Sequence, residues 1–148
     1  MDCLFCQIPS GEVAVPGGMI YEDELVCACH YAQGELPEYL GNILVQPKRH
    51  AKTFAELSDD EARAMGLLIA RVARALGDCC GAERAYVEFY GEVTPHLHVF
   101  LTARYPNTPP DYWRWKIGDW PEAPRGDEQQ IAALAGRLRA HVAGESAD

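Results

Sequence analysis

The chain has 148 residues, of which 48% are hydrophobic and 24% are charged, and its formal net charge is −9. A chain of this length and composition folds as one domain with a sizeable core, which excludes disordered and fibrous proteins. The acidic excess excludes non-specific nucleic-acid binding, because that binding needs Lys and Arg to neutralise phosphates. No apolar run approaches the roughly 20 residues of a membrane span. Met1-Asp2-Cys3 begins no signal peptide, so we expect a cytoplasmic protein.

The first half of the chain predicts short strands and one long helix. The predicted strands cover residues 19–21, 25–31 and 42–46, after a turn-rich opening and with a loop over 34–38. The helix begins at Ser58, which forms the pattern of a capping box with Glu61, and we expect it to end at Gly77. The side chains of its apolar stripe are expected to pack in the hydrophobic core and to take no part in catalysis. The stripe consists of Ala62, Met65, Ile69, Val72, Ala73 and Leu76.

The second half predicts two more strands and a last helix. The strands cover residues 85–90 and 97–103. The second one alternates, so that His96, His98 and Phe100 share one face and the apolar residues between them share the other. After an irregular segment, Asp127 with Gln130 caps the last helix. Because no βαβ rhythm appears, we predict one α+β domain over residues 1–148, with a largely antiparallel sheet, one long helix and a C-terminal helix.

The pair His96 and His98 is the first candidate for chemistry. On one strand face the two imidazoles lie about 6.5–7 Å apart along the chain. Burying two unpaired histidines is costly, so such a pair lines a cleft, binds a metal ion, or consists of two hydrogen-bonded structural histidines. The H-x-H pattern alone does not choose among these three interpretations.

Cys3 and Cys6 form a C-x-x-C motif, which places two thiolates within reach of one metal ion. Zinc binds four ligands tetrahedrally, and His50 and His96 are candidate nitrogen ligands at strand ends. The alternative is a pair of unlinked thiols, whereas a redox motif is disfavoured because the βαβ context is missing. The other four cysteines are expected to be small buried hydrophobes. They are Cys27, Cys29, Cys79 and Cys80.

Two further groups have both a functional and a structural interpretation. Lys48 and Arg49 supply positive charge that can steer a phosphate, or they are solvated surface charges at a strand end. Four aromatic residues near the C-terminus can wall a pocket and stack on a base, although we favour packing on the core. They are Tyr112, Trp113, Trp115 and Trp120.

In this order, the motifs resemble the histidine-triad (HIT) family of nucleotidyl hydrolases and transferases. The resemblance rests on Cys3-Leu4-Phe5-Cys6, on Tyr21-Glu22-Asp23-Glu24, and on the segments 41–50 and 93–105, so that its core motifs cover residues 1–105. The Trp- and Pro-rich segment within 106–148, which precedes the C-terminal helix, is similar to the tail of a bacterial subgroup. The resemblance implies a HIT-like α+β fold and a homodimer.

The family signature is H-x-H-x-H, in which the middle histidine is the nucleophile, and this chain has two of the three. If Thr94 replaces the first histidine, His96 is the nucleophile. If Phe100 replaces the third, His98 is the nucleophile. We favour the second alignment, because it keeps the family spacing to the Arg-Tyr pair that follows and supplies a fourth metal ligand.

This alignment implies roles for the site residues. The resemblance implies a structural zinc ion bound by Cys3, Cys6, His50 and His96, and phosphate or nucleotide contacts from Lys48, His96 and Arg104. It also implies that His98 attacks the α-phosphorus of a mono- or dinucleoside polyphosphate, and that water cleaves the resulting nucleotidyl-histidine. Because Phe100 donates no proton, the alternative is a catalytically weak nucleotide-binding or zinc-stabilised interaction module.

Three departures from the family pattern limit what the resemblance implies about the substrate. Asn42 stands where the family commonly has histidine, and the acidic residue that holds the ribose is replaced near His30. The loop before the triad lacks the family's Asn- and Gln-rich pattern. That loop here contains Glu88, Tyr90, Gly91 and Glu92. The expected fold survives these changes, whereas the exact substrate does not follow from the resemblance.

Overall fold

One antiparallel sheet of five strands organises the protein, whose computed structural model describes residues 3–146. The strands are Met19–Glu22 (β1), Val26–His30 (β2), Asn42–Pro47 (β4), Arg84–Glu88 (β5) and Val99–Arg104 (β6). They lie in the order β1-β2-β4-β6-β5. A separate ribbon pairs Glu38–Tyr39 (β3) with Arg125–Gly126 (β7). Met1 and Asp2, which belong to the opening expected to form no signal peptide, lie outside the described residues.

Helices cover both faces of this sheet. They are Leu4–Ser10 (α1), Asp59–Cys80 (α2) and Glu128–Ser146 (α3), with 3₁₀ helices at Phe54–Glu56, Pro110–Tyr112 and Arg114–Asp119. On one face α2 and α3 pack against the sheet in the main core, which includes Leu101 and Leu138. On the other face α1 packs through Phe5 and Ile8. The α+β architecture with its long helix and C-terminal helix is confirmed, and no helix within residues 3–146 is suited to crossing a membrane.

The long helix α2 begins as predicted and ends later than predicted. The Ser58 hydroxyl accepts from the Glu61 N–H at 3.1 Å, and the Glu61 carboxylate accepts from the Ser58 N–H at 2.8 Å, which completes the capping box. The predicted end at Gly77 is wrong, because the helix continues to Gly81, whose φ is 67°. Glycine within a helix costs only about 1 kcal/mol relative to alanine, and the buried Leu76 side chain offsets that cost.

The buried face of α2 is shifted slightly from the predicted stripe. Ala62 is exposed, because the buried position in the first turn belongs to Glu61. Leu68 is buried in the core, whereas Ile69 and Ala73 only border it. The other predicted members of the stripe are buried. They are Met65, Val72 and Leu76.

Met65 tests the structural role of α2, because its side chain is 1% exposed. Met65→Ala is expected to lower the free energy of unfolding by about 2–5 kcal/mol, since it leaves a cavity in the core. The control Leu67→Ala changes a side chain on the same helix that is 50% exposed, and its effect is expected to stay within about 0.5 kcal/mol. Urea unfolding of both variants measures the difference. Equal losses in the two variants would contradict the assignment of the buried face.

Glu61 predicts an acid-sensitive contribution to stability. Its carboxylate accepts two hydrogen bonds from Arg49 at 2.8 Å each, and these bonds and that of the Ser58 N–H lower its pKa to about 2. Because this pKa lies below the ordinary value of 4.5, the pair stabilises the fold above that pH, and the contribution disappears as the pH falls towards 2.

Glu61→Gln is therefore expected to cost about 1–3 kcal/mol at neutral pH, and the difference from the wild-type protein should shrink as the solution is acidified. Urea titrations at neutral pH and at pH values below 4.5 give this difference directly. Asp60→Asn is the control, since the side chains of its ion pair with Arg63 are 74% and 82% exposed and such pairs contribute little. A pH-independent difference for Glu61→Gln would show that its charge has no role.

The N-terminal helix α1 was not predicted, since Pro9 lies inside it. Proline has no N–H, so the carbonyl of Phe5 loses its helical partner. The buried Gln46 side chain of β4 donates a hydrogen bond to that carbonyl instead. This contact restores the missing hydrogen bond and fixes α1 on the sheet, with the C-x-x-C motif at the beginning of the helix.

The strand β6 begins at Val99, two residues later than predicted. His96 and His98 therefore lie just before the strand rather than within it. Their side chains still share one side of the sheet, because both rings contact Phe5 of α1, with ring centroids 6.0 Å and 4.0 Å away. The predicted common face is thus retained even though the strand is shorter.

Candidate functional site

Four side chains converge where the N-terminus of α1 meets the sheet. The ligand atoms of Cys3, Cys6, His50 and His96 all lie within 4.8 Å of one another. The Nδ1 atom of His96 is 3.4 Å from each Cys Sγ and 3.2 Å from the Nδ1 atom of His50, which lies 3.2 Å from the Cys6 Sγ. Tetrahedral zinc with two sulfur and two nitrogen ligands has edges of about 3.3–3.8 Å. The four predicted ligands therefore form a cluster that can hold one metal ion.

Backbone hydrogen bonds bring the three segments of this cluster together. The Cys3 carbonyl accepts from the N–H groups of Cys6 and Gln7 at 3.0 Å each, and this turn places both thiols on one side. The Leu97 N–H donates to the Ala51 carbonyl at 2.7 Å, which holds the segment after β4 against the segment before β6. The histidines of these two segments are neighbours of the bonded residues, so the bond fixes their separation.

His96 is oriented as a metal ligand. Its side chain is fully buried, and its Nε2 atom lies 3.2 Å from the Pro47 carbonyl, to which it donates. The Nδ1 lone pair then points at the thiols, and this outer hydrogen bond is typical of histidines that bind metals. Burial, and the hydrogen bond that the Cys6 thiol donates to the Cys3 sulfur, raise the pKa of Cys6 to about 11, so two adjacent thiolates need a cation between them.

His98 lies beside this cluster and outside it. Its Nδ1 atom donates to the carbonyl of His96 at 2.6 Å, which leaves the Nε2 lone pair free. The imidazole stacks on Phe5 at an interplanar angle of 11° and meets Phe89 and Phe100 edge-on at 5.6 and 5.5 Å. Burial lowers the pKa of His98, so the neutral ring is favoured. A neutral, rigidly held imidazole with a free nitrogen can act as a nucleophile.

Two adjoining hollows lie along the face of the sheet next to His98. The first, of about 230 Å³, is enclosed by residues 88–94 together with His98 and Phe100. The second, of about 260 Å³, lies between the sheet and the 3₁₀ helix Arg114–Asp119. Glu88 and Phe100 line both hollows, so the two are neighbours and together form a cleft beside His98.

The structure does not bring two of the predicted phosphate contacts to His98. Lys48 is paired with Glu22 of β1 at 2.6 Å. Arg104 lies six residues beyond His98, about 20 Å along an extended chain, where its guanidinium lies 4.2 Å from the ring centre of Trp113. Neither side chain lines the hollow beside His98.

His30 and the tryptophans occupy mainly structural places. His30 is fully buried, donates from Nδ1 to the Tyr31 carbonyl and accepts from the Gly41 N–H, and burial lowers its pKa to about 4. Trp120 is buried as expected, whereas Trp115 is 68% exposed and walls the second hollow. The pocket interpretation therefore applies to Trp115, and the packing interpretation applies to Trp120.

Two residues of the site do not follow from the motifs: Phe5, which holds the His98 ring, and Glu88, which lines its cleft. A signal for Glu88 exists in the alternation of Tyr86 and Glu88 along β5, which places both on the face that Phe100 occupies in β6. The signal for Phe5 is weaker, because its contact depends on how α1 docks on the sheet.

Two solved structures share this fold over nearly their whole length. A Zn-bound histidine triad family protein from Mycobacterium smegmatis has a TM-score of 0.72 and 23% identity, covering 100% of this chain and 99% of that one. A hypothetical histidine triad nucleotide-binding protein from Sulfolobus tokodaii has a TM-score of 0.71 and 23% identity, covering 96% and 93%. At this identity the likeness shows the fold alone.

Sequence comparison identifies the family. An uncharacterized HIT-like protein from Methanocaldococcus jannaschii is 42% identical over 59 residues, which cover 40% of this chain and 42% of that protein. The matches span half or less of the length of the curated relatives. The sequence model of the HIT domain matches residues 13–107, which is more than half of the chain. The protein therefore belongs to the HIT family.

Proposed function

We propose that the protein cleaves nucleotides at the α-phosphate through His98, as a hydrolase or a nucleotidyl transferase. The observation that carries this proposal is the 2.6 Å hydrogen bond from His98 Nδ1 to the His96 carbonyl, which leaves Nε2 as the free, nucleophilic nitrogen. His96 is the less suitable nucleophile, because its Nδ1 faces the thiols and its Nε2 faces the Pro47 carbonyl. Membership of the HIT family supports the same class of activity.

The chemical step proposed for His98 is nucleophilic substitution at phosphorus. The Nε2 lone pair forms the new bond to phosphorus while the bond to the leaving group breaks, and water then cleaves the nucleotidyl-histidine. The ring becomes positively charged in the first step. The hydrogen bond to the His96 carbonyl stabilises that charge, and the stacked Phe5 keeps the ring in place.

We propose further that the metal ion is zinc, held by Cys3, Cys6, His50 and His96. Two thiols and two imidazoles are ligands that zinc prefers, and the Mycobacterium smegmatis neighbour with the same fold is Zn-bound. The ion has a structural role here, since four protein ligands leave no position for substrate. It joins α1 to the sheet and thereby places Phe5 against His98.

Nucleotides are the proposed ligands, with mono- and dinucleoside polyphosphates as the substrate class. The Sulfolobus tokodaii neighbour is named a nucleotide-binding protein. Direct contacts of Lys48, His96 and Arg104 with the nucleotide remain predictions from the family resemblance, and Arg104 and Lys48 lie away from the cleft. A homodimer and a cytoplasmic location also remain predictions, of which the first is measured by sedimentation.

One observation favours a second candidate, a nucleotide-binding or zinc-stabilised interaction module with little catalysis. Phe100 occupies the third triad position, and the hollow beside His98 contains Glu88 and Glu92 but no Lys or Arg among its described lining residues. Carboxylates repel the negative charge of a polyphosphate, and this repulsion disfavours its binding beside His98 and therefore fast turnover.

A nucleotide panel distinguishes the two functions. Zinc-loaded protein is incubated with a nucleoside triphosphate, a dinucleoside polyphosphate and a nitrophenyl ester of AMP, and release of the nucleoside monophosphate is followed by chromatography. If the protein is an enzyme, it is expected to release the nucleoside monophosphate catalytically from at least one of these compounds. Saturable binding in calorimetry without release supports the module, and neither binding nor release would contradict both functions.

A further inference from the structure

Glu88 lies where a proton is needed if His98 attacks a phosphate. It is directly opposite Phe100 in the β5–β6 register, and opposed side chains on neighbouring strands have Cβ atoms about 4.5–5.5 Å apart. Glu88 is half-buried and lines both hollows, the one with His98 and the one beneath Trp115. Its carboxyl group therefore lies at the junction between the nucleophile and the farther hollow.

We infer that Glu88 is the acid that protonates leaving groups unable to depart as anions, so that the cleft accepts, besides polyphosphates, esters or amidates of a nucleoside monophosphate whose alcohol or amine is seated in the hollow beneath Trp115. This inference rests on the proposed function of His98. In-line attack expels the leaving group on the side of phosphorus opposite the nucleophile. With phosphorus next to His98, the opposite side is the second hollow, whose volume of about 260 Å³ accommodates a ring-sized group.

Other titratable groups near the cleft are less suitable for this role. Tyr90 and Glu92 also line the hollow with His98, but both are exposed and lie in the loop after β5. Tyr86 and Arg114 line only the farther hollow.

The proton and bond changes balance over the two steps. In the first step the His98 Nε2–phosphorus bond forms, the bond from phosphorus to the leaving oxygen or nitrogen breaks, and the Glu88 proton passes to that atom. The products are a neutral alcohol or amine and the Glu88 carboxylate. In the second step the water oxygen bonds to phosphorus while Glu88 takes a proton from that water. The bond from phosphorus to His98 breaks, and His98 leaves as the neutral imidazole.

Two esters of AMP with ring-sized leaving groups test the assignment, because one leaving group needs a proton and the other does not. Nitrophenolate leaves without one, whereas phenylethanol needs one. Glu88→Gln is expected to lower kcat/KM for the phenylethyl ester by about 10²–10⁴-fold and to leave the nitrophenyl ester within about threefold. Glu24→Gln is the matched control and should affect neither ester, because Glu24 is exposed in the turn after β1 and lines neither hollow. Glu88→Asp retains a carboxyl group and is expected to recover part of the lost activity.

Zinc content and Tm are measured for each variant, so that a folding defect is recognised. An equal loss on both esters in folded Glu88→Gln, or no loss on either, would overturn the role of Glu88 while the proposed function stands. If the wild-type protein cleaves neither ester and forms no adduct on His98, both the proposed function and this inference are overturned.

Discussion

Removal of the metal ion is expected to lower the free energy of unfolding by about 4 kcal/mol or more, the linkage value for a metal at a thousandfold its Kd. For a chain of this size that corresponds to roughly 10–15 °C in Tm. The expected loss is large because the four ligands come from three segments, with Cys3 and His96 separated by 93 residues. A helix as short as α1, with seven residues, is not stable by itself.

The measurement combines elemental analysis with thermal unfolding in the presence and absence of a chelator. We expect close to one zinc ion per chain, and Cys6→Ser should lose most of it. Cys79→Ser is the control, because Cys79 lies at the far end of α2 and outside the cluster. Purified protein without metal, with a Tm that does not respond to chelator, would contradict the metal site.

His98→Ala is expected to abolish the nucleotidyl-enzyme and to lower turnover by about 10³-fold or more, as removal of a nucleophile does in other covalent enzymes. The variant should keep its zinc ion, since His98 contributes no atom to the four-ligand cluster. His96→Ala should instead lose zinc and stability, because it removes a ligand that is fully buried.

His141→Ala is the matched control for these variants, since the partly buried His141 of α3 pairs with Asp78 of α2 and lines neither hollow of the cleft. Zinc content, Tm and the rate of monophosphate release are measured for all three proteins. Full activity in His98→Ala, or loss of its zinc ion, would show that the two histidines have been assigned in the wrong order.

The metal cluster could be predicted because its ligands are chemically distinctive residues in a few short motifs. Cys3 and Cys6 bring two thiols together within one turn, and His50 and His96 follow strands that the hydrophobic pattern indicates. The long helix could be predicted as well, because the capping box at Ser58 and Glu61 is a local sequence signal. Its end was missed, since tertiary packing carries the helix through Gly77.

Features that depend on how a helix docks on the sheet, or on how two strands pair, could not be predicted from local sequence patterns. The helix α1 exists because Gln46, about forty positions later in the chain, replaces the hydrogen bond that Pro9 cannot make. The position of Glu88 opposite Phe100 depends on how β5 pairs with β6, and a shift of one residue would reverse its face. A phosphate contact of Arg104 is implied by the family resemblance and stays a prediction, and β6 places this residue about 20 Å along the chain from His98.

The most direct test of the account locates the covalent adduct. Zinc-loaded protein in excess is mixed with AMP nitrophenyl ester labelled at phosphorus, the reaction is quenched in alkali, and the labelled peptide is sequenced by mass spectrometry. The account predicts label on His98, in protein that retains its zinc ion. Label on His96 in protein that keeps its zinc ion, or no label on either histidine while monophosphate is released, would contradict it.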